Sequence, residues 1–153
     1  MKNFCYFLAI FLIGSNCFAS PKINELAHFE IKTFSQKKFD LAQNNGKVVI
    51  INFWASWCPQ CRKEILVLQS IKKKYGNKIE IIGAALDRNS RNLAKTLSYE
   101  NGLINDMKSN IEEPDAIPTP YIVNKEGKVA AILDDENVEI SEELFSKIID
   151  PLL

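Results

Sequence analysis

Cysteine is scarce in this chain, with four among 153 residues, and histidine is scarcer still, with His28 alone. No sign of charge is in excess: 19 lysines and arginines face 19 aspartates and glutamates. The balance removes the electrostatic footprint expected of a protein that binds nucleic acid or an anionic membrane surface. The apolar run from Phe4 to Ile13 is about ten residues, half of the roughly twenty that a helix needs to cross a bilayer. There is no internal repeat, low-complexity segment or linker, and the length and apolar fraction fit one soluble domain with a proper core.

What is present begins with a leader pattern. A lysine near the start, the apolar run, a polar break at Gly14-Ser15-Asn16 and the small Ala19 before Ser20 have the organisation of a signal peptide. The expected division is residues 1–19 as leader and 20–153 as the mature domain. An uncleaved anchor, or a lipidated Cys17, are the other readings of the same segment. With the leader gone, Cys58 and Cys61 are the only cysteines, and His28 adds too little to complete the four ligands of a zinc site.

Along the mature chain, alternation around Phe29-Glu30-Ile31 and the polar stretch Ser35-Lys38 predict an edge hairpin. Lys47-Phe53 is a β-branched run without helical periodicity, which predicts a strand buried on both faces. From Pro59, Ile65, Leu66, Leu68, Ile71 and Tyr75 recur at helical spacing until Gly76, predicting an amphipathic helix. Ile79-Ala85 reads as a second buried strand, and Ser90-Glu100 as a helix closed by Gly102. One helix per crossover implies parallel strands. Tyr121-Asn124 and Val129-Leu133 flank a turn of hairpin length, and Ser141 offers an N-cap for a last helix ended by Pro151. The expected architecture is α/β, a mixed central sheet with helices on both faces. Lys72-Lys73-Lys74 reads as a solvated helix face, Asp134-Asp135-Glu136 as a loop, and His28 as an ordinary residue of the edge region.

The two cysteines stand in the segment WASWCPQC, residues 54–61, between the first buried strand and the helix. Pro59 suits a first helical turn, which puts Cys58 at the helix N-terminus. Free N–H groups and the helix dipole favour an anion there, so the Cys58 thiol is expected to ionise at a pH of roughly 3.5 to 7.5. Cys61, one turn further, is placed to attack a mixed disulfide formed at Cys58 and is expected to be the more shielded thiol. A structural staple is the competing reading, but it closes a minimal loop and so restrains the unfolded chain little. The exchange runs in either direction, and spacing does not select one.

With WASWCPQC after VVIINF, Ile117-Pro118-Thr119 opening a strand some sixty residues later, and the hairpin YIVNKEGKV, the chain resembles the thioredoxin superfamily from about Ala27 to its C-terminus. The leader, Asn52 and Glu64 resemble the extracytoplasmic TlpA/ResA/DsbE group. By that resemblance Pro118 is a cis-proline packed against the cysteine pair, with Ile117 offering its backbone to a bound peptide beside Trp57. Asn52 stands where cytoplasmic thioredoxins carry a buried aspartate, so a titrating relay is absent at that position. Glu64 matches a carboxylate kept beside the disulfide, a candidate for proton handling at Cys61, although the helix dipole alone explains a glutamate in a first helical turn. Pro120 and a short stretch from Leu103 to Asp115 depart from the family pattern and bear on partner choice; Pro59-Gln60 is an unusual dipeptide and bears on redox poise.

The resemblance implies a thioredoxin-like fold and an exported, periplasmic or otherwise extracytoplasmic thiol:disulfide oxidoreductase with a redox-active Cys58-Cys61 disulfide. It further implies a reductant, as in cytochrome c maturation, that draws electrons from a membrane thiol donor and acts on client proteins with cysteine thiols or disulfides. No cofactor or metal is implied, and contact with the membrane only if the leader is retained. An oxidant that introduces disulfides, a peptide-binding module without redox turnover and a copper-handling protein are the alternatives.

Overall fold

The computed structural model describes residues 21–135 and 137–153. The expected leader lies outside these residues, as does Glu136 of the acidic loop. Seven strands form one sheet: β1 (Phe29–Thr33), β2 (Lys38–Asp40), β3 (Val48–Trp54), β4 (Ile79–Ala85), β5 (Glu100–Ser109), β6 (Thr119–Val123) and β7 (Val129–Ile132). The helices are α1 (Pro59–Tyr75), α2 (Ser90–Ala94) and α3 (Glu142–Ile149). The spatial order is β2-β1-β5-β4-β3-β6-β7. Parallel pairing links β3 to β4 and β4 to β5, and all other neighbours are antiparallel.

The apolar run predicted to be buried becomes β3, which has no exposed residue along its length. Its even-numbered side chains face α1: Val48 and Ile50 pack with Leu68 and Ile71 of that helix and with Phe145 and Ile149 of α3. Burying an aliphatic side chain of this kind contributes about 1.5–3 kcal/mol. Nearer the end of the strand, Trp54 packs with Cys61 and Ile65 of α1 and Ala94 of α2. The crossovers β3-α1-β4 and β4-α2-β5 advance in the same direction across the sheet, so right-handed connections place both helices on this face. The opposite face, with Val49, Ile51, Phe53 and Tyr121, is covered by Leu41 of a short 3-10 helix (Leu41–Asn44), by Ile111 and by Ile117.

The structure corrects the sequence reading in three places. The helix expected over Ser90–Glu100 is only α2, and Gly102 does not cap it but lies inside β5. A side chain at Gly102 would collide with the backbone oxygen of Lys32 on the neighbouring β1, so the glycine serves strand approach rather than helix termination. Most of the stretch from Leu103 to Asp115 is therefore strand, and residues 110–117 alone lead into Pro118. Leu66, expected inward, is exposed, because Cys61, Glu64, Ile65, Leu68, Ile71 and Tyr75 make up the buried face of α1. The lysine run is not wholly solvated: Lys72 donates to the Ile79 carbonyl at 2.9 Å and Lys74 to the Ser146 hydroxyl at 2.7 Å.

Candidate functional site

The site forms where the chain leaves β3 and enters α1, at the carboxyl ends of the parallel strands, where open α/β sheets place their chemistry. After Trp54 the chain turns through Ala55, Ser56 and Trp57, and the Cys58 N–H donates to the Ala55 carbonyl at 3.2 Å. Cys58 takes an extended conformation as the N-cap of α1, with Pro59 as the first helical residue. Its sulfur accepts the N–H of Cys61 at 3.1 Å, the place a serine or aspartate oxygen fills in an ordinary N-cap. A disulfide joins Cys58 and Cys61. Cys58 is 5% exposed and Cys61 0%, in the order the spacing predicts.

Around the pair, the expected residues divide into an outer rim and a buried floor. Trp57 is 66% exposed, and Pro59 and Gln60 also face solvent. The Ile117-Pro118 peptide bond is cis, and the Ile117 carbonyl oxygen stands 3.8 Å from the Cys58 sulfur. Ile117 packs against the cluster that holds both cysteines. Trp57, Cys58, Ile117 and Pro118 are thus collected from two segments about sixty residues apart. His28 lies just before β1, exposed, with its backbone bonded to Asn110.

The turn before Cys58 is fixed by residues that no sequence pattern singled out. Asp87, just after β4, accepts the Ser56 N–H at 2.8 Å, the Ser56 hydroxyl at 2.7 Å and the Ser90 hydroxyl at 2.5 Å. Burial pushes the Asp87 carboxyl up, but these hydrogen bonds outweigh it and hold the group below the usual aspartate range. From the other side, the Arg62 guanidinium donates to the Ser56 carbonyl at 2.8 and 3.2 Å. The only sequence signal for Asp87 is its position, an acidic residue at the carboxyl end of a buried strand.

Glu64 is on the inward face of α1, one turn past Cys61, and 1% exposed. It lies in the second turn, so the dipole of the helix N-terminus does not account for it. Burial pushes its carboxyl up to about 8. Asn52 points to the same face from β3 and is fully buried. The other tryptophan, Trp54, is also fully buried and donates its ring N–H to the Asn101 side-chain oxygen at 3.0 Å. The Asn101 amide in turn donates to the Tyr99 carbonyl at 2.9 Å.

Residues 23–137 match the model of the AhpC/TSA family. The thiol-disulfide oxidoreductase ResA of Bacillus anthracis is 30% identical over 138 residues, covering 83% of this chain and 78% of that protein. Among solved structures, a thiol:disulfide interchange protein of the thioredoxin family from Chlorobium tepidum superposes with a TM-score of 0.70 at 25% identity, covering 88% of this chain and 99% of the other. A DsbF homologue from Corynebacterium diphtheriae gives 0.68 at 22% identity, over 83% of this chain and 85% of that one.

Proposed function

Because the chain belongs to the AhpC/TSA family and is a TlpA/ResA/DsbE-like thiol:disulfide oxidoreductase of the thioredoxin superfamily, we propose that it reduces client disulfides outside the cytoplasm, with Cys58 attacking and Cys61 resolving. The observation that carries the assignment of roles is the cap geometry: the Cys58 sulfur already accepts a helix N-terminal N–H, which stabilises a thiolate. Cys61, with no exposed surface, is reached by its neighbour and not by a client.

In the reduced protein the Cys58 thiolate attacks one sulfur of a client disulfide. A Cys58–client S–S bond forms, the client S–S bond breaks, and the other client sulfur leaves as thiolate. Cys61 passes its proton to the Glu64 carboxylate and attacks the Cys58 sulfur; the mixed disulfide breaks, the second client sulfur leaves, and the Cys58–Cys61 disulfide remains. Burial raises the Glu64 carboxyl to about 8, which makes its carboxylate a stronger base than an ordinary glutamate and suits it to take a thiol proton. Two electrons have passed to the client, and a membrane thiol donor returns them. Trp57, Ile117 and Pro118 form the client-binding rim, with Pro59 and Gln60 supporting the nucleophile.

The resemblance of WASWCPQC, Asn52 and Glu64 to the TlpA/ResA/DsbE group supports the reductant direction, and the leader pattern at residues 1–19 supports export with 20–153 as the working domain. Clients on the cytochrome c maturation route are the specific instance proposed. Trapping tests the roles. Cys61→Ser is expected to accumulate a covalent Cys58–client disulfide that thiol reductants release, and Cys58→Ser to accumulate none. Adducts through Cys61 in the Cys58→Ser protein would reverse the assignment.

A further inference from the structure

Trp54 and Asn101 stand on β3 and β5, two strands apart with β4 between them, yet their side chains bond directly at 3.0 Å. Neighbouring strands lie about 4.8 Å apart, so this pair spans about 10 Å of sheet and crosses over β4. The crossing point is Gly83. A Cβ there would overlap the Asn101 side-chain oxygen and stand 2.8 Å from the Trp54 ring nitrogen, so any side chain at this position would take the place of the bond. Glycine inside a strand marks a close approach of this kind. The Asn101 amide is occupied as well, donating to the Tyr99 carbonyl at 2.9 Å, which turns the side-chain oxygen toward the indole.

Both residues are buried, Trp54 fully and Asn101 nearly so. On one side, the indole packs in the cluster that holds Cys58, Cys61 and Ile65. On the other, Asn101 joins Phe34, Ala94 and Leu97 in lining a surface pocket of about 540 Å³. Asn101 therefore stands between solvent and the ring that walls in Cys61. A buried indole N–H needs an acceptor, and the ring keeps one orientation while Asn101 supplies it.

We propose that Asn101 is a positioning residue for the redox couple: by fixing Trp54 against Cys61 it keeps water from that sulfur and holds the potential of the pair low. The inference rests on redox turnover at Cys58 and Cys61, and not on which of the two attacks. When glutathione disulfide oxidises the pair, the two thiols release two electrons and two protons, one S–S bond forms between Cys58 and Cys61, and one glutathione disulfide becomes two glutathione thiols. A disulfide gains little from hydration, whereas a thiol gains more and a thiolate most. A dry Cys61 thus favours the disulfide, and a wetted one favours the dithiol. Favouring the disulfide lowers the potential, which suits a donor of electrons.

Equilibration of the full chain with glutathione buffers tests this, comparing wild type with Asn101→Ala and Gly83→Ala. The first variant removes the acceptor and opens the floor of the pocket; the second keeps Asn101 and drives a methyl group into the bond. Each is expected to shift the equilibrium toward the dithiol by about tenfold, which is about 30 mV for a two-electron couple. Leu41→Ala, in the core on the opposite face of the sheet, is expected to destabilise the fold and leave the potential at the wild-type value. Wild-type potentials in both Asn101→Ala and Gly83→Ala overturn the proposal, and so does an equal shift in Leu41→Ala. If neither of the first two variants folds, the wild-type protein supplies the answer. Its Trp54 indole N–H is expected to exchange with solvent at least about tenfold more slowly than that of the exposed Trp57 in the dithiol form as well as in the disulfide. Exchange as fast as that of Trp57 in the dithiol form overturns the proposal. A wild-type pair that fails to equilibrate at any poise removes the redox reading and this proposal with it, whereas a pair that equilibrates at a potential the variants share removes this proposal alone.

Discussion

The Cys58 sulfur and the Cys61 N–H, 3.1 Å apart, convert the ordinary capping of a helix into the activation of a thiol. The same backbone donor that a serine oxygen satisfies in other helices here meets a sulfur, and it favours that sulfur as an anion. In the reduced protein, the rate of Cys58 alkylation by iodoacetamide is therefore expected to rise through a midpoint between roughly pH 3.5 and 7.5. A midpoint at or above about 8.5, the value of an unperturbed cysteine, would remove the helix N-terminus as the activating element.

Glu64 gives a stability signature with an unusual sign. Its carboxyl is raised from 4.5 to about 8 in the folded protein, so the folded state holds a proton that the unfolded chain releases. Stability is then greatest below about pH 4.5 as far as this group is concerned, falls as pH rises towards about 8, and is flat beyond. Urea unfolding of the oxidised protein and of Glu64→Gln is expected to diverge over that window, with the variant losing less. The difference has a ceiling of about 4–5 kcal/mol. Parallel curves for the two proteins would show that Glu64 is charged in the folded state at all these pH values.

Asp87 acts in the opposite sense. Its carboxyl is held below the usual range by Ser90 and Ser56, so its contribution is present above about pH 3.8 and is lost as pH falls through its lowered folded value. Asp87→Asn, which weakens the bonds to Ser56 and Ser90, is expected to destabilise the protein by about 1–3 kcal/mol at neutral pH and to lose part of the acid-side slope. It is also expected to slow exchange, because Ser56 lies two residues before Cys58. Exchange at the wild-type rate in a destabilised variant would separate the clamp on the turn from the chemistry.

The local patterns were legible and the long-range ones were not. The strand Val48–Trp54, the helix from Pro59 to Tyr75, the hairpin after Thr119 and the Ser141 cap rest on periodicity and capping within a few residues, and the structure contains each of them. The cysteine order of exposure follows from the same local geometry. By contrast, Gly102 read as a helix stop because a glycine after a helical pattern has that meaning locally, whereas its actual reason is the Lys32 backbone on another strand. β5 itself escaped notice because its outer half is polar and pairs only with β1. Asp87, Asn101 and Tyr99 act across β3, β4 and β5, and no spacing within one segment announces such contacts.

Trp57 is exposed beside the nucleophile and contributes little to the core. Trp57→Ala is expected to lower kcat/KM for a protein disulfide by about tenfold, the loss of one aromatic contact with a client. The thermal midpoint is expected to stay within about 2 °C, as for a surface substitution. Unchanged kcat/KM would place the client-binding surface elsewhere on the rim.

The central claim is that the Cys58–Cys61 pair gives electrons to clients, and its reduction potential tests that most directly. Equilibration of the domain comprising residues 20–153 with glutathione buffers is expected to give a value near that of thioredoxin, about −270 mV. A value near about −120 mV would make the protein an oxidant, and a pair that fails to equilibrate at any poise would contradict redox turnover altogether.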